Sequence, residues 1–148
     1  MVFFPTINSE LVDNKNITIG INKNNYDLLI ICPDSFKGIV QPLVEHKEKY
    51  GIRSYLASLS EVYSNPESKI GRDEPEKIKY FIKQALDNWE IKHVLLIGGK
   101  VGQSDNWHLP VRYIHLGNSW EPEILSDLYF ADIYDSNGFF SSWDSDGD

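Results

Sequence analysis

The sequence predicts an α/β fold: a three-layer sandwich around a mostly parallel, four-stranded sheet. Three observations predict it. The apolar run "LLIIC" (28–32) reads as a strand buried on both faces, and "HVLLIGG" (93–99) reads as a further strand, again apolar and ending in glycines. The segments before and after "IRSYLASLS" carry helical periods with start and stop residues at their ends. The resulting order, strand–helix–strand–helix–strand, calls for parallel strands joined by right-handed crossovers.

The elements follow in order. Residues 1–25 are rich in asparagine and contain "NITIGIN", where Ile17, Ile19 and Ile21 alternate at period two. This is an N-terminal arm or short strand. The first strand of the sheet spans 27–32 and stops at Pro33. Leu43, Val44 and Lys47 then keep a helical period. Pro42 is costly inside a helix and well placed in a first turn, so the helix is expected from about Gln41 to Tyr50, with Gly51 as left-handed cap. The second strand is 52–58, followed by a helical turn around "SEVYSN". "DEPEKIKYFIKQALDNW" is the clearest helix. Asp73 caps it, Glu76 stands three residues on as in a capping box, and Ile78, Phe81, Ile82, Ala85, Leu86 and Trp89 share one face. Strands at 93–98 and 111–117 complete the sheet in the order 2-1-3-4, so that crossovers cover both faces. "SDLYFADIYD" reads as a further short strand or a connecting segment. The α/β unit is thus 26–135, and 136–148 is an acidic junction tail.

With 148 residues, 41% of them hydrophobic, the chain suits one domain with a sizeable core. Its formal net charge is −8, from 22 acidic and 14 basic residues, which excludes nucleic acid as the expected partner. There is one cysteine, so no internal disulfide forms. No apolar run approaches the roughly 18 residues of a membrane span. The opening "MVFFPTINSE" lacks a charged n-region and a long apolar h-region, so it is not a signal peptide.

Few residues carry chemistry by pattern. Cys32 ends an apolar strand and reads as buried rather than nucleophilic. His46 lies on a charged helix face, His93 opens a strand, and His115 sits inside one. His108, in the loop "SDNWHLP", is the best placed of the four, because loops past parallel strands carry sites. "IGGKVGQSDN" lacks the order of a phosphate loop, and no nucleotide is expected. A binding crevice at the strand ends would draw on Asp34, Ser35, Gly98, Gly99 and His108. In the tail, Asp144, Asp146 and Asp148 occupy positions one, three and five of a calcium loop. Three carboxylates do not close a shell of about six to eight oxygens. A twelve-residue loop from Asp144 would need about seven residues beyond Asp148. Weak calcium binding is expected unless Asp127, Asp132 or Asp135 folds back.

"YDLLIICPDSF", "QPLVEHKEKYGI", "EKIKYFIKQALDNW", "IKHVLLIGG", "SDLYFADI" and "WDSDGD", in this order and spacing, resemble the gingipain family of cysteine peptidases. The resemblance covers 26–148. It implies a caspase-like catalytic unit of two side-by-side α/β subdomains, of which this chain matches the first. It also implies a secreted or cell-surface, calcium-bound endopeptidase acting on peptides and proteins. The family's catalytic His and Cys fall downstream of residue 148, so neither role is carried onto Cys32 or His108. The chain is therefore expected to be part of a longer peptidase, inactive alone, with the catalytic subdomain as its partner. The rival reading is a small flavodoxin-like ligand-binding module that uses the crevice after the first and third strands, with no peptidase activity.

Overall fold

The computed structural model of the protein describes residues 25–115 and 123–143. The expected strand-like alternation at 17–21 and the tail aspartates 144, 146 and 148 lie outside them. β1 (Leu28–Cys32) is the middle strand of a three-stranded parallel sheet, and all five of its residues are buried. On one side it pairs with β2 (Ser54–Ser58), in the register Leu29↔Tyr55. On the other it pairs with β3 (His93–Leu96), in the register Leu29↔Val94. The order β2-β1-β3 matches the expected 2-1-3.

Helices cover both faces, because β1 is apolar at odd and even positions alike. Leu28, Ile30 and Cys32 meet Val40 and Val44 of α1 (Lys37–Lys49). Leu29, Ile31 and Ala57 meet Ile78, Phe81, Ile82 and Ala85 of α3 (Glu74–Trp89). Between β2 and α3 lies the short α2 (Leu59–Ser64), whose first turn is capped by the Ser58 hydroxyl. It occupies the place expected for the turn around "SEVYSN".

α1 starts four residues earlier than Pro42 suggested, and the proline stands inside it. The bond that Pro42 cannot make would have reached the carbonyl of Gly38, in the exposed first turn. Water can serve that carbonyl, and a short 3₁₀ turn at Asp34–Phe36 leads into the helix. Gly51 takes the expected left-handed conformation, with φ of 79°.

The cap of α3 is more elaborate than a capping box. The Asp73 carboxylate accepts the Glu76 amide at 2.9 Å. The Glu76 carboxylate reaches back past Asp73 to the Arg72 amide at 2.7 Å and to the Arg72 Nε at 2.9 Å. Glu76 is 3% exposed. Burial alone would raise its pKa, but the side-chain and backbone hydrogen bonds from Arg72 outweigh burial and hold it below the ordinary 4.5. A carboxylate with a depressed folded-state pKa contributes stability above its unfolded pKa and loses it as pH falls through the folded value. Wild-type stability should therefore decline as pH drops below about 4.5. Glu76→Gln should cost about 1–2 kcal/mol at neutral pH and flatten that decline, read from urea midpoints across pH.

The sheet departs from expectation beyond β3. Residues of the expected fourth strand form β4 (Tyr113–His115), which pairs antiparallel with β5 (Glu123–Leu125) in a separate two-stranded sheet. The reason lies in Arg112. Its guanidinium contacts Asp73 at 2.9 Å and donates to the Tyr129 hydroxyl at 3.2 Å. This ties the chain entering β4 to the start of α3 instead of the edge of β3. The segment "SDLYFADIYD" is not a strand either: it contains α4 (Leu128–Ala131), which buries Tyr129 and Phe130.

Candidate functional site

The strands of the parallel sheet end together, and the loops that leave them define the candidate site. After β1, the Asp34 carboxylate turns toward β2 and accepts the Ser60 amide at 3.2 Å. Hydrogen bonds from Ser60 and Ser58, the former strongest, hold its pKa below the ordinary range. Ser35 is exposed. Glu61 accepts the Tyr55 hydroxyl and lies 3.7 Å from the Lys37 ammonium.

After β3 the chain folds into a hairpin. Val101 donates to the Asn106 carbonyl and His108 to that of Gly99, both at 2.8 Å, and Lys100 and Trp107 form an antiparallel bridge. The hairpin returns so closely that a Cβ on Gly98 would sit 2.5 Å from the Leu109 Cβ. Only glycine permits this approach. His108 is thereby set against Phe36, with ring centroids 5.0 Å apart. The structure thus brings Gly98, Gly99 and His108 together with the loop after β1, while the Asp34 carboxylate is committed to the β2–α2 turn.

Cys32 belongs to the core. It is 0% exposed, surrounded by Leu28, Ile30, Val40 and Val44. Burial raises its thiol above the ordinary 9.0; Lys37 pulls the other way and Asp34 adds to the rise. The histidines lie elsewhere. His46 stacks on Tyr50 at the exposed face of α1, His93 is exposed at the start of β3, and His108 faces Phe36. His115 lies in β4.

Among the described residues no three acidic, histidine or cysteine side chains are grouped to hold a metal ion. Asp127 is exposed beside α4 and makes no side-chain cap. Asp132 accepts the Trp143 indole N–H at 2.5 Å and the Ser141 hydroxyl at 3.3 Å. Asp135 accepts the amides of Asn137 and Phe139 at 2.8 and 2.9 Å. The bonds to Asp132 fall on its Oδ2 and those to Asp135 on its Oδ1.

The sequence reading missed two features. Lys79 is fully buried, its ammonium 4.3 Å from the Tyr129 ring centroid and within 6 Å of those of Phe140 and Trp143. Arg112 lies 4.5 Å from the same Tyr129 ring. The signal for Lys79 was its spacing: it precedes Ile82 by three residues and stands beside Ile78, on the flank of the apolar stripe. The second feature is an open groove of about 650 Å³ along β3, lined by Ile82, Leu86, Ile91, Phe130 and Ile133 among others. Among the described residues no strand pairs with β3 on the side away from β1, and the groove lies open there.

The arrangement defines an α/β domain, a parallel β2-β1-β3 sheet flanked by helices, whose sole thiol is sealed in the core. The chain belongs to peptidase family C25, the gingipain family of cysteine peptidases, whose family model matches residues 21–145. No curated protein and no solved structure matches it. Among the described residues, no helix is long and apolar enough to cross a membrane.

Proposed function

We propose that this chain is the N-terminal, non-catalytic subdomain of a gingipain-like cysteine endopeptidase. It supports a catalytic subdomain that carries the nucleophilic Cys and its His downstream of residue 148. The observation that carries the reading is the burial of Cys32. A cysteine nucleophile needs access and a setting that favours thiolate, and Cys32 has neither. Family membership supports a peptidase, and hence peptide or protein substrates. A caspase-like pairing of two subdomains and a secreted or cell-surface setting complete the proposal.

The region 136–148 is proposed as the junction between the two subdomains. The anchoring of Trp143 to Asp132 supports this, since it fixes the chain one residue before Asp144. Calcium at Asp144, Asp146 and Asp148, with Asp127 or Asp132 nearby, is part of the proposal only if further ligands join them. No catalytic step depends on it.

The test is a cleavage assay on the purified chain, with unstructured Arg- and Lys-containing peptides and varied reductant. No thiol-dependent cleavage is expected. Cleavage that disappears in Cys32→Ala would overturn the reading.

A further inference from the structure

We propose that the open edge of β3 pairs with the same edge of a second copy of this chain, antiparallel and about a two-fold axis at Leu95. The inference goes beyond the peptidase reading and does not depend on it. The His93 amide donates to the Asp27 carbonyl at 3.1 Å and the Ile97 amide to that of Ile31 at 2.9 Å. Alternation along a strand therefore turns the amides and carbonyls of Val94 and Leu96 away from β1. Among the described residues no strand pairs on that side. Val94 is 38% exposed and Leu95 37%. β3 holds no acidic residue, lysine, proline or bulge to blunt it, and such an edge invites pairing.

The edge is complementary to itself in register, packing and charge. With Leu95 on the axis, Val94 of each copy stands opposite Leu96 of the other, and each such pair exchanges both of its hydrogen bonds. Every outward amide and carbonyl of β3 is then used, and the two Leu95 side chains meet at the axis. Leu29, the neighbour of Val94 in β1, lies in the layer that α3 covers. Val94 and Leu96 therefore project on the side of the apolar groove lined by Ile82, Leu86, Phe130 and Ile133. A two-fold axis normal to the sheet sets the two grooves side by side. The charges choose the direction of pairing. The Trp89 carbonyl takes the Tyr26 amide, and the Asp27 carbonyl takes the Lys92 amide, so the end of α3 lies at the foot of β3. The start of α3 lies toward the opposite end, the head. There Asp73 holds Arg112, and the Arg112 carbonyl takes the amide of Ser126, the residue before Asp127. The groove thus carries Lys92 at its foot and Asp127 at its head. Antiparallel pairing brings the foot of each copy to the head of the other and opposite charges together, whereas parallel pairing would set like against like.

Analytical ultracentrifugation of the full chain over a concentration series, paired with amide hydrogen exchange by NMR, tests this. A monomer–dimer equilibrium is expected, with exchange at Val94 and Leu96 slowing as the dimer fills. Leu95→Lys sets two ammonium groups opposite each other at the axis and should raise the dimer Kd by about tenfold or more, while the Ile97 amide, bonded to β1, stays protected. A chain that stays monomeric throughout would overturn the proposal. So would a dimer that Leu95→Lys leaves unchanged, which means another surface, or Val94 and Leu96 amides whose protection does not vary with concentration, which means an edge covered within one chain or left bare. If Ile97 loses protection in the variant, the variant has unfolded, and an equal mixture of isotope-labelled and unlabelled wild-type chain decides. Nuclear Overhauser contacts between Val94 of one copy and Leu96 of the other uphold the proposal, and their absence overturns it.

Discussion

Tyr129→Ala is expected to lower the unfolding free energy by about 3–5 kcal/mol, as truncation of a buried aromatic does. Tyr129 is 0% exposed and lies against Phe130 and Trp143, with ring centroids at 5.2 and 5.7 Å. Its ring also faces the Lys79 ammonium and the Arg112 guanidinium. Truncation leaves a cavity and removes the quadrupole beside a fully buried ammonium, so two costs add. Tyr129→Phe keeps the ring and loses only the hydroxyl that accepts from Arg112. It should cost about 0.5–1.5 kcal/mol. Urea unfolding of both variants separates packing from hydrogen bonding. Equal losses would mean that the hydroxyl, not the ring, holds α4 and the segment after it to α3.

Leu29→Ala should cost about 2–5 kcal/mol. Leu29 is 0% exposed, in the middle strand, with Tyr55 beside it in β2 and Val94 in β3. Strands on both sides and a helix above leave little freedom to collapse into the cavity, which places the cost in the upper part of that range. The comparison is Ile30→Val, on the opposite face, where one methyl group is lost and about 0.5–1.5 kcal/mol is expected. The unfolding midpoint should fall in both cases with little change in denaturant slope.

The first and third strands were legible as short apolar runs with a stop signal and the second from its alternation, and burial on both faces leaves no other use for "LLIIC". The Asp73 cap was legible for the same local reason. What escaped depends on contacts distant in sequence. The expected fourth strand has strand composition, yet Arg112 anchors its start to Asp73 and Tyr129, so it pairs with β5. The run "LYFA" is too short to show a period, and burial of Tyr129 decided for helix. The extent of α1 was misjudged because the cost of Pro42 falls on a carbonyl in an exposed turn. At the candidate site, the burial of Cys32 was read from its strand, and His108 was correctly placed in a loop at the strand ends. Its contact with Phe36 was not legible, because it requires the 99–108 hairpin to fold back over Gly98.

The role proposed for this chain turns on whether Cys32 behaves as a core residue or a nucleophile. Alkylation of the full chain by iodoacetamide, native against denatured and across pH, measures this directly. Cys32 is enclosed by the α1 face of the sheet, and its thiol is raised by burial, so labelling must wait for the strand to open. Native labelling should be slower than denatured labelling by on the order of a hundredfold or more, given a stability of several kcal/mol. Native labelling as fast as in denaturant, with a thiol titrating below neutral pH, would show an accessible, activated Cys32 and contradict the non-catalytic assignment.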